Sequence, residues 1–464
     1  RSRMANVTLS RPRRAVDMTQ GSIYRHLIVF ALPLLIGNVF QQMYNMVDTW
    51  VVGNYVSNEA FSAVGSVGPI INVLIGMFTG LSSGAGAVIS QFYGARQKDK
   101  VEHAVHTAVA MTLILAVVFT AVGISFTPFM LRLTKMPANV APEATTYLRI
   151  YFAGVAGLML YNIGAGVLRA VGDSKRPFYF LVICAILNTV LDLVFVLVFR
   201  MGVEGVAIAT IVSWSVSVFL GLRALARNEG NVKLCKEYFR LYKDELKHIL
   251  FIGVPEGMQK ALYSVANVII TATVNSFGAK ATTGISIANQ YDGILYQICT
   301  ATAFAIVPYV SQNVGAGNVK RAMQSVWKGI LITVGLGAFF GALSAAFTNE
   351  LSAIMSDDPE VIAFSRQKMI IISSTYFICG INEIFGSSLR AMGKPMAATI
   401  TTMVYMCAFR FVWVYGIYPL LPQDCTYLYL VWPIGWILSI ATLLPMFFRR
   451  VKYLSQLHSP LAKS

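Results

Sequence analysis

Long apolar stretches make up most of the chain, and short connections that contain charged residues, proline or glycine separate them. A helix that crosses a membrane needs about 20 mostly apolar residues, and runs of that length recur along nearly the whole sequence. The runs are continuous and do not alternate with polar residues, as the strands of a membrane β-barrel would. The pattern therefore predicts an all-α polytopic membrane protein. The predicted spans are 25–53, 60–90, 103–126, 144–170, 176–200, 203–226, 246–276, 281–311, 322–348, 363–390, 396–420 and 427–449.

The charged residues support this interpretation and predict an orientation. The chain carries a net charge of +16, but only 12% of its residues are charged, about half the share in a soluble domain. Its basic residues gather in the connections after even-numbered spans, for example Lys98 and Lys320, whereas Glu350 and Asp357 follow an odd-numbered one. This positive-inside bias predicts a multi-pass protein of the cytoplasmic membrane with both termini in the cytoplasm, and it argues against nucleic acid as a partner.

Two segments of the first half recur in the second half. Residues 90–95 (Ser-Gln-Phe-Tyr-Gly-Ala) return as residues 311–316 (Ser-Gln-Asn-Val-Gly-Ala), and residues 168–172 (Leu-Arg-Ala-Val-Gly) return as residues 389–393 (Leu-Arg-Ala-Met-Gly), both 221 positions later. Because each half holds an even number of spans, the repeats share one orientation, with a pseudo-two-fold axis along the membrane normal and a cleft between two six-helix bundles. The predicted divisions are a basic N-terminal segment (1–24), an N-lobe (25–226), a linker (227–245), a C-lobe (246–449) and a C-terminal tail (450–464).

Two carboxylates lie deep in predicted spans of the N-lobe. Asp48 shares a helix face with Gln41, Tyr44 and Asn45, and Asp192 follows Asn188 by one turn. Gln41 and Asn45 are also candidates to line the substrate cleft. Burial disfavours an ionised carboxylate, so such groups can take up a proton, and carboxylate and amide oxygens also suit Na⁺. A structural polar network that holds helices together is the alternative interpretation.

The C-lobe spans contain a charge-balanced set instead. It predicts internal ion pairs or a substrate-lining surface, and Pro33 and Pro255, near the starts of spans 1 and 7, are hinge candidates because proline removes a helical hydrogen bond. The polar candidates in the C-lobe are Glu256, Lys260, Asn289, Asp292 and Arg410.

The chain resembles the multidrug and toxic compound extrusion (MATE) family from about residue 19 to residue 450. The resemblance rests on residues 42–48 (Gln-Met-Tyr-Asn-Met-Val-Asp) followed by Val52-Gly53, on the Gly-Ala loops at 94–95 and 315–316, and on the two Leu-Arg-Ala-x-Gly segments. It implies a pair of six-helix lobes that work by rocker-switch alternating access, and export of amphipathic, often cationic compounds against H⁺ or Na⁺.

The resemblance also implies where the coupling cation binds. The pattern of the DinF-like branch falls on Tyr44, Asp48, Asn162, Asn188, Asp192 and Thr210. The NorM-like branch places acidic residues at positions that align with Tyr263 and Cys379 here, so that C-lobe site is expected to be absent.

The sequence thus predicts a secondary-active multidrug antiporter, expected to be monomeric, without an organic cofactor and with no metal other than Na⁺ at Asp48, Asn188 and Asp192. A lipid-linked oligosaccharide flippase of the same superfamily is the first rival. A membrane-embedded enzyme would need a catalytic constellation, and a channel a filter-like repeat; neither pattern is present.

Overall fold

The computed structural model describes residues 17–56, 58–133, 141–227, 233–235 and 239–457. Within them the side chains of residues 42–50 lie outside the description, so Tyr44, Asn45 and Asp48 are placed on their helix only by the backbone. The described residues form helices joined by short turns and contain no strand.

The helices coincide with the predicted spans. The first six spans are α1 (Ile23–Tyr55), α2 (Asn58–Gly94), α3 (Lys98–Leu133), α4 (Ala141–Ala170), α5 (Lys175–Leu193) with the π-helix Val194–Val198, and α6 (Val203–Ala226). The second six are α7 (Lys243–Asn275), α8 (Ala279–Gly315), α9 (Val319–Ala346) with the short α10 (Thr348–Ala353), α11 (Pro359–Ala391), the run α12 (Pro395–Thr402) to α13 (Phe409–Val412), and α14 (Cys425–Tyr429) with α15 (Val431–Leu457). The predicted all-α fold is confirmed.

Eleven of these segments, judged on the described residues, are long and apolar enough to cross a membrane. The helix that fills the predicted seventh span, α7, is not among them. Its middle turn carries Glu256, Gln259 and Lys260, which lower its hydropathy. Large apolar side chains such as Val117, Phe219 and Phe339 are exposed at 71%, 62% and 64%, as expected of surfaces that face lipid.

The chain divides into two compact units, and two of the divisions between them fall inside helices. Unit 1 contains residues 1–17 and 36–253, and unit 2 contains residues 18–35 and 254–464. The first part of α1 therefore belongs to unit 2, and the first part of α7 belongs to unit 1. Pro33 and Pro255 each lie two positions from such a division.

In unit 1, α4 packs against α2, α3 and α6. Its core includes Phe78, Leu148, Phe152 and Trp214. Small residues bring the helices close together, which is how membrane helices gain packing energy without a hydrophobic driving force. One of these approaches, between Gly84 and Gly253, joins α2 to the first part of α7.

In unit 2, α11 packs against α8, α9 and α15. The start of α1 is fixed on the same bundle, because Arg321 donates hydrogen bonds to the carbonyl oxygens of Met18, Gln20 and Gly21 at 3.1, 2.8 and 2.8 Å. Leu27 is buried in the same core as Phe385. The segment that precedes Pro33 thus packs as part of unit 2.

The internal repeat of the sequence reappears as a repeat of contacts. Ser90 Oγ donates to the Ala170 carbonyl at 3.0 Å in unit 1, and Ser311 Oγ donates to the Ala391 carbonyl at 3.4 Å in unit 2. Both halves also end the helix of the Leu-Arg-Ala-x-Gly segment on a glycine of positive φ, at Gly172 and Gly393. Glycine adopts that left-handed conformation without the steric cost that a Cβ brings, so the repeated glycine terminates the helix in the same way twice.

We predict that Gly84→Ala in α2 and Gly253→Ala in α7 destabilise the protein by about 1–3 kcal/mol each, the usual cost of overpacking. A Cβ on Gly84 would lie 2.6 Å from the Gly253 nitrogen, and a Cβ on Gly253 would lie 2.8 Å from the Leu81 Cα. The measurement is the melting temperature of the detergent-purified protein.

The matched control is Gly164→Ala in α4, where a Cβ has no neighbour within 4 Å. Alanine there is expected to leave stability unchanged or raise it by up to about 1 kcal/mol, because alanine is the better helix former. Equal melting temperatures for all three variants would contradict the close approach of α2 and α7.

Candidate functional site

The structure brings three of the six residues that the resemblance implies for cation binding into one buried cluster in unit 1. Asn188 and Asp192 lie one turn apart on α5, and Thr210 lies on α6. Their exposures are 1%, 0% and 6%. The Asn188 side-chain nitrogen donates to Thr210 Oγ1 at 3.4 Å, and Thr210 Oγ1 donates to the Val206 carbonyl at 3.0 Å.

These bonds leave oxygen atoms available for a cation. The Thr210 hydroxyl donates its proton to Val206 and accepts from Asn188, so one lone pair of its oxygen remains as an acceptor. Among the described residues, no donor lies within hydrogen-bond distance of Asn188 Oδ1. The donor set is a carboxylate, an amide oxygen and a hydroxyl oxygen, and hard cations prefer oxygen ligands of this kind.

The backbone of α5 is distorted directly beyond this cluster. The helix widens into the π-helix Val194–Val198, which begins two residues after Asp192. Single π-turns in α-helices occur frequently at functional sites, because the extra residue breaks the regular hydrogen-bond ladder and re-aims side chains.

The other residues implied by the resemblance are not joined to this cluster by any described hydrogen bond. Asn162 is half-buried on α4, its side-chain nitrogen donates to the Leu158 carbonyl at 2.8 Å, and none of the described hydrogen bonds joins it to the other three. Gln41 is half-buried on α1. Tyr44, Asn45 and Asp48 lie on the same helix, with side chains outside the description.

The C-lobe candidates form separate interactions in unit 2, and Glu256 and Lys260 form an internal ion pair with each other. Glu256 Oε1 lies 3.4 Å from Lys260 Nζ. Asp292 instead pairs with Lys368 on α11, at 2.7 Å. Lys368 also donates to Asn289 Oδ1.

Arg410 is buried at 1% exposure and its bonds are to neutral groups. Its Nη1 donates to Asn267 Oδ1 at 2.6 Å. Its guanidinium carbon lies 4.8 Å from the ring centre of Tyr263 and 5.5 Å from that of Trp432. Tyr263, at a position where the NorM-like pattern places an acidic residue, therefore contacts a cation. Cys379, at the other such position, is buried in an apolar cluster.

Sequence reasoning missed three charged residues of α11, which are Lys368, Glu383 and Arg390. Arg390 resembles a loop residue at the end of a span, yet it is buried at 5% and its Nε lies 3.5 Å from Glu256 Oε2. Its Nη2 lies 4.0 Å from Glu383 Oε2. Two signals could have found these residues: Lys368 and Glu383 lie inside a predicted span, where any charge is a functional candidate, and Glu383 is 221 positions after Asn162.

We predict that Asp292→Asn and Lys368→Met each destabilise the protein by about 3–5 kcal/mol, because each leaves an uncompensated buried charge. The double variant Asp292→Asn/Lys368→Met is expected to recover most of that loss. The measurement is a double-mutant cycle of thermal or denaturant unfolding. Additive losses in the double variant would show that the two side chains do not interact energetically.

Comparison with known proteins agrees with this architecture. The family model MatE matches residues 33–194 and 255–415. The probable multidrug resistance protein YpnP of Bacillus subtilis is 28% identical over 400 residues, which cover 86% of this chain and 89% of YpnP. A FAD transporter of Shewanella oneidensis is 24% identical and covers 82% of this chain and 85% of its own length.

The fold has solved counterparts as well. The structure described as an outward-facing conformation of a multidrug resistance MATE family transporter superposes with a TM-score of 0.90 at 20% identity, covering 96% of this chain and all of the other. A Pyrococcus furiosus transporter of the MOP superfamily superposes with a TM-score of 0.88 at 21% identity, covering 96% of this chain and 99% of the other. The family model covers most of both units, and the chain belongs to the MatE family of multidrug efflux transporters.

Proposed function

We propose that this chain is a secondary-active antiporter of the cell membrane, in which a cation bound in unit 1 drives the export of amphipathic organic compounds. The observation that supports this most is the buried cluster of Asn188, Asp192 and Thr210, which ends at a π-helix. Asp48 and Tyr44 of α1 would complete the site, as in the DinF-like branch, and Asn162 would line it.

The coupling ion would be H⁺ or Na⁺. Asp192 would take up the proton or ligate the sodium ion, while Asn188 Oδ1 and Thr210 Oγ1 would offer neutral oxygen ligands. A carboxylate in a dry interior is costly unless it is compensated, so the site favours being loaded. Loading and release of the cation would then bias the position of α1, on which Asp48 lies.

The transported compounds would meet the carboxylates Asp48 and Asp192 of unit 1, which favour cationic molecules. Exchange of access between the two sides would follow a rocker-switch, with a monomer as the transporting species and both termini in the cytoplasm. The positive-inside distribution of Lys and Arg supports that orientation.

We expect Asp192→Asn to reduce gradient-driven efflux to about a tenth of the wild-type rate or less, a loss of about 1.4 kcal/mol or more. Asparagine keeps the size of the side chain but cannot carry a proton or a negative charge. The measurement is transport of a cationic dye in proteoliposomes, with a pH gradient and a Na⁺ gradient imposed separately. Asp48→Asn is expected to behave in the same way.

The matched control is Asp99→Asn, which removes an exposed carboxylate from the first turn of α3 and should leave the rate unchanged. Wild-type rates in Asp192→Asn under both gradients would remove that residue from coupling. Dye flux that neither gradient accelerates in the wild-type protein would contradict antiport itself.

We also propose that Pro33 and Pro255 act as hinges, because each lies where its helix passes from one unit to the other. Proline leaves the carbonyl four residues earlier without its helical bond, so the helix bends there at low cost.

Pro33→Ala and Pro255→Ala should therefore straighten and stiffen α1 and α7. The expected result is slower efflux together with a higher melting temperature, since alanine is favoured over proline in a helix interior by about 3 kcal/mol. Pro128→Ala in α3 is the control, because that proline lies within a single unit and should affect stability but not rate. Unchanged efflux in both hinge variants would contradict the hinge role.

A further inference from the structure

Arg410 is a buried cation whose hydrogen-bonding capacity is only partly used. It lies on α13, a single helical turn between the π-helices Met403–Ala408 and Trp413–Ile417. Its Nη1 is bonded to Asn267 and its guanidinium also interacts with the Tyr263 side chain, but its Nη2 is buried and no acceptor among the described residues meets hydrogen-bond geometry with it. No described carboxylate lies within 4.0 Å of it. An arginine guanidinium cannot lose its proton in a protein, so the positive charge stays.

The other interior charges of unit 2 do not compensate it. Lys368 is matched by Asp292, while Lys260 and Arg390 are matched by Glu256 and Glu383. The set therefore contains four cations and three carboxylates, and the excess positive charge belongs to Arg410. A buried charge of this kind costs several kcal/mol unless it is paired or hydrogen-bonded, which a bound anion would provide.

Aromatic side chains surround this charge. The guanidinium faces Tyr263 and Trp432, and Lys368 Nζ lies 5.6 Å from the centre of the same Trp432 ring. Tyr263 and Trp432 are half-buried and pack on a core that includes Tyr376 and Trp436. Two partly exposed aromatic rings beside a buried cation resemble the composition of a usual ligand site, with many apolar contacts and a few convergent polar groups.

We propose that unit 2 holds a binding site for aromatic anions, in which Arg410 Nη2 donates to the anionic group and Trp432 and Tyr263 contact the ring. The guanidinium would form a charge-assisted hydrogen bond, which is about twice as strong as a neutral one. The site adds aromatic anions to the cationic class proposed above. That such ligands are exported rests on the proposed function, but their binding does not.

The experiment compares three probes that share one ring system and differ in charge: naphthoate, naphthalenemethanol and naphthylmethylammonium. Binding is measured by calorimetry on the protein in nanodiscs, without any gradient. The wild-type protein should bind naphthoate about tenfold more tightly than the alcohol, equivalent to about 1.4 kcal/mol, and should bind the ammonium most weakly.

Arg410→Gln should abolish the preference for naphthoate over the alcohol, and Arg410→Lys, which keeps the charge but loses the planar fork, should retain part of it. Arg366→Gln is the matched control, since it removes an exposed cation from α11, two residues from Lys368. Its preference should equal that of the wild-type protein.

Equal affinity of the wild-type protein for all three probes would overturn the proposal, as would an unchanged preference in a folded Arg410→Gln variant. Such a result would assign Arg410 to a purely structural link between α13 and α7. If Arg410→Gln does not fold, the proposal is tested with Arg410→Lys. A preference for naphthoate as large as that of the wild-type protein would then show that the guanidinium does not bind the anion. Asp192→Asn should keep the naphthoate preference, so a failure of cation coupling and a failure of this site give different results.

Discussion

The interior of a bilayer offers no water, so every backbone polar group and every buried charge of this chain must find its partner within the protein. Continuous helices satisfy the backbone groups. Between helices, short contacts such as Gly84 against Gly253 and Ser90 against Ala170 replace the hydrophobic effect that packs soluble proteins. Charges survive in this environment only where the structure provides counter-charges, amides or aromatic rings.

The two units meet this constraint with the same scaffold and different chemistry. Position 162 of unit 1 is asparagine, and the position 221 residues later, 383, is a glutamate beside Arg390. Asp192 corresponds in the same way to Trp413, which is buried in an apolar cluster. Duplication therefore fixed the helix crossings, while substitutions at equivalent positions gave unit 1 a carboxylate and amide cluster and unit 2 a network built around arginine and lysine.

Regular helices are interrupted beside one charged residue in each unit, Asp192 and Arg410. A π-helix follows Asp192, and two π-helices flank Arg410. One extra residue in a turn rotates the following side chains by about 100° around the helix axis. These distortions decide which residues face the interior, and they lie where we propose that the coupling cation and an aromatic anion bind.

The sequence by itself determined the long helices, the duplication and the family, because apolar run length and repeated motifs are properties of the chain alone. It also predicted Asn188, Asp192 and Thr210 as site residues, because the one-turn spacing on a helix and the family resemblance are both properties of the sequence. It did not identify Lys368 as the partner of Asp292, and it placed Arg390 only as the last residue of a predicted span. Only the tertiary structure decided these pairings, because they join residues 76 and 134 positions apart, and helix periodicity does not determine which faces of distant helices meet. For the same reason, only the structure shows that Arg410 lacks a carboxylate partner among the described residues, whereas Lys260, Lys368 and Arg390 each have one.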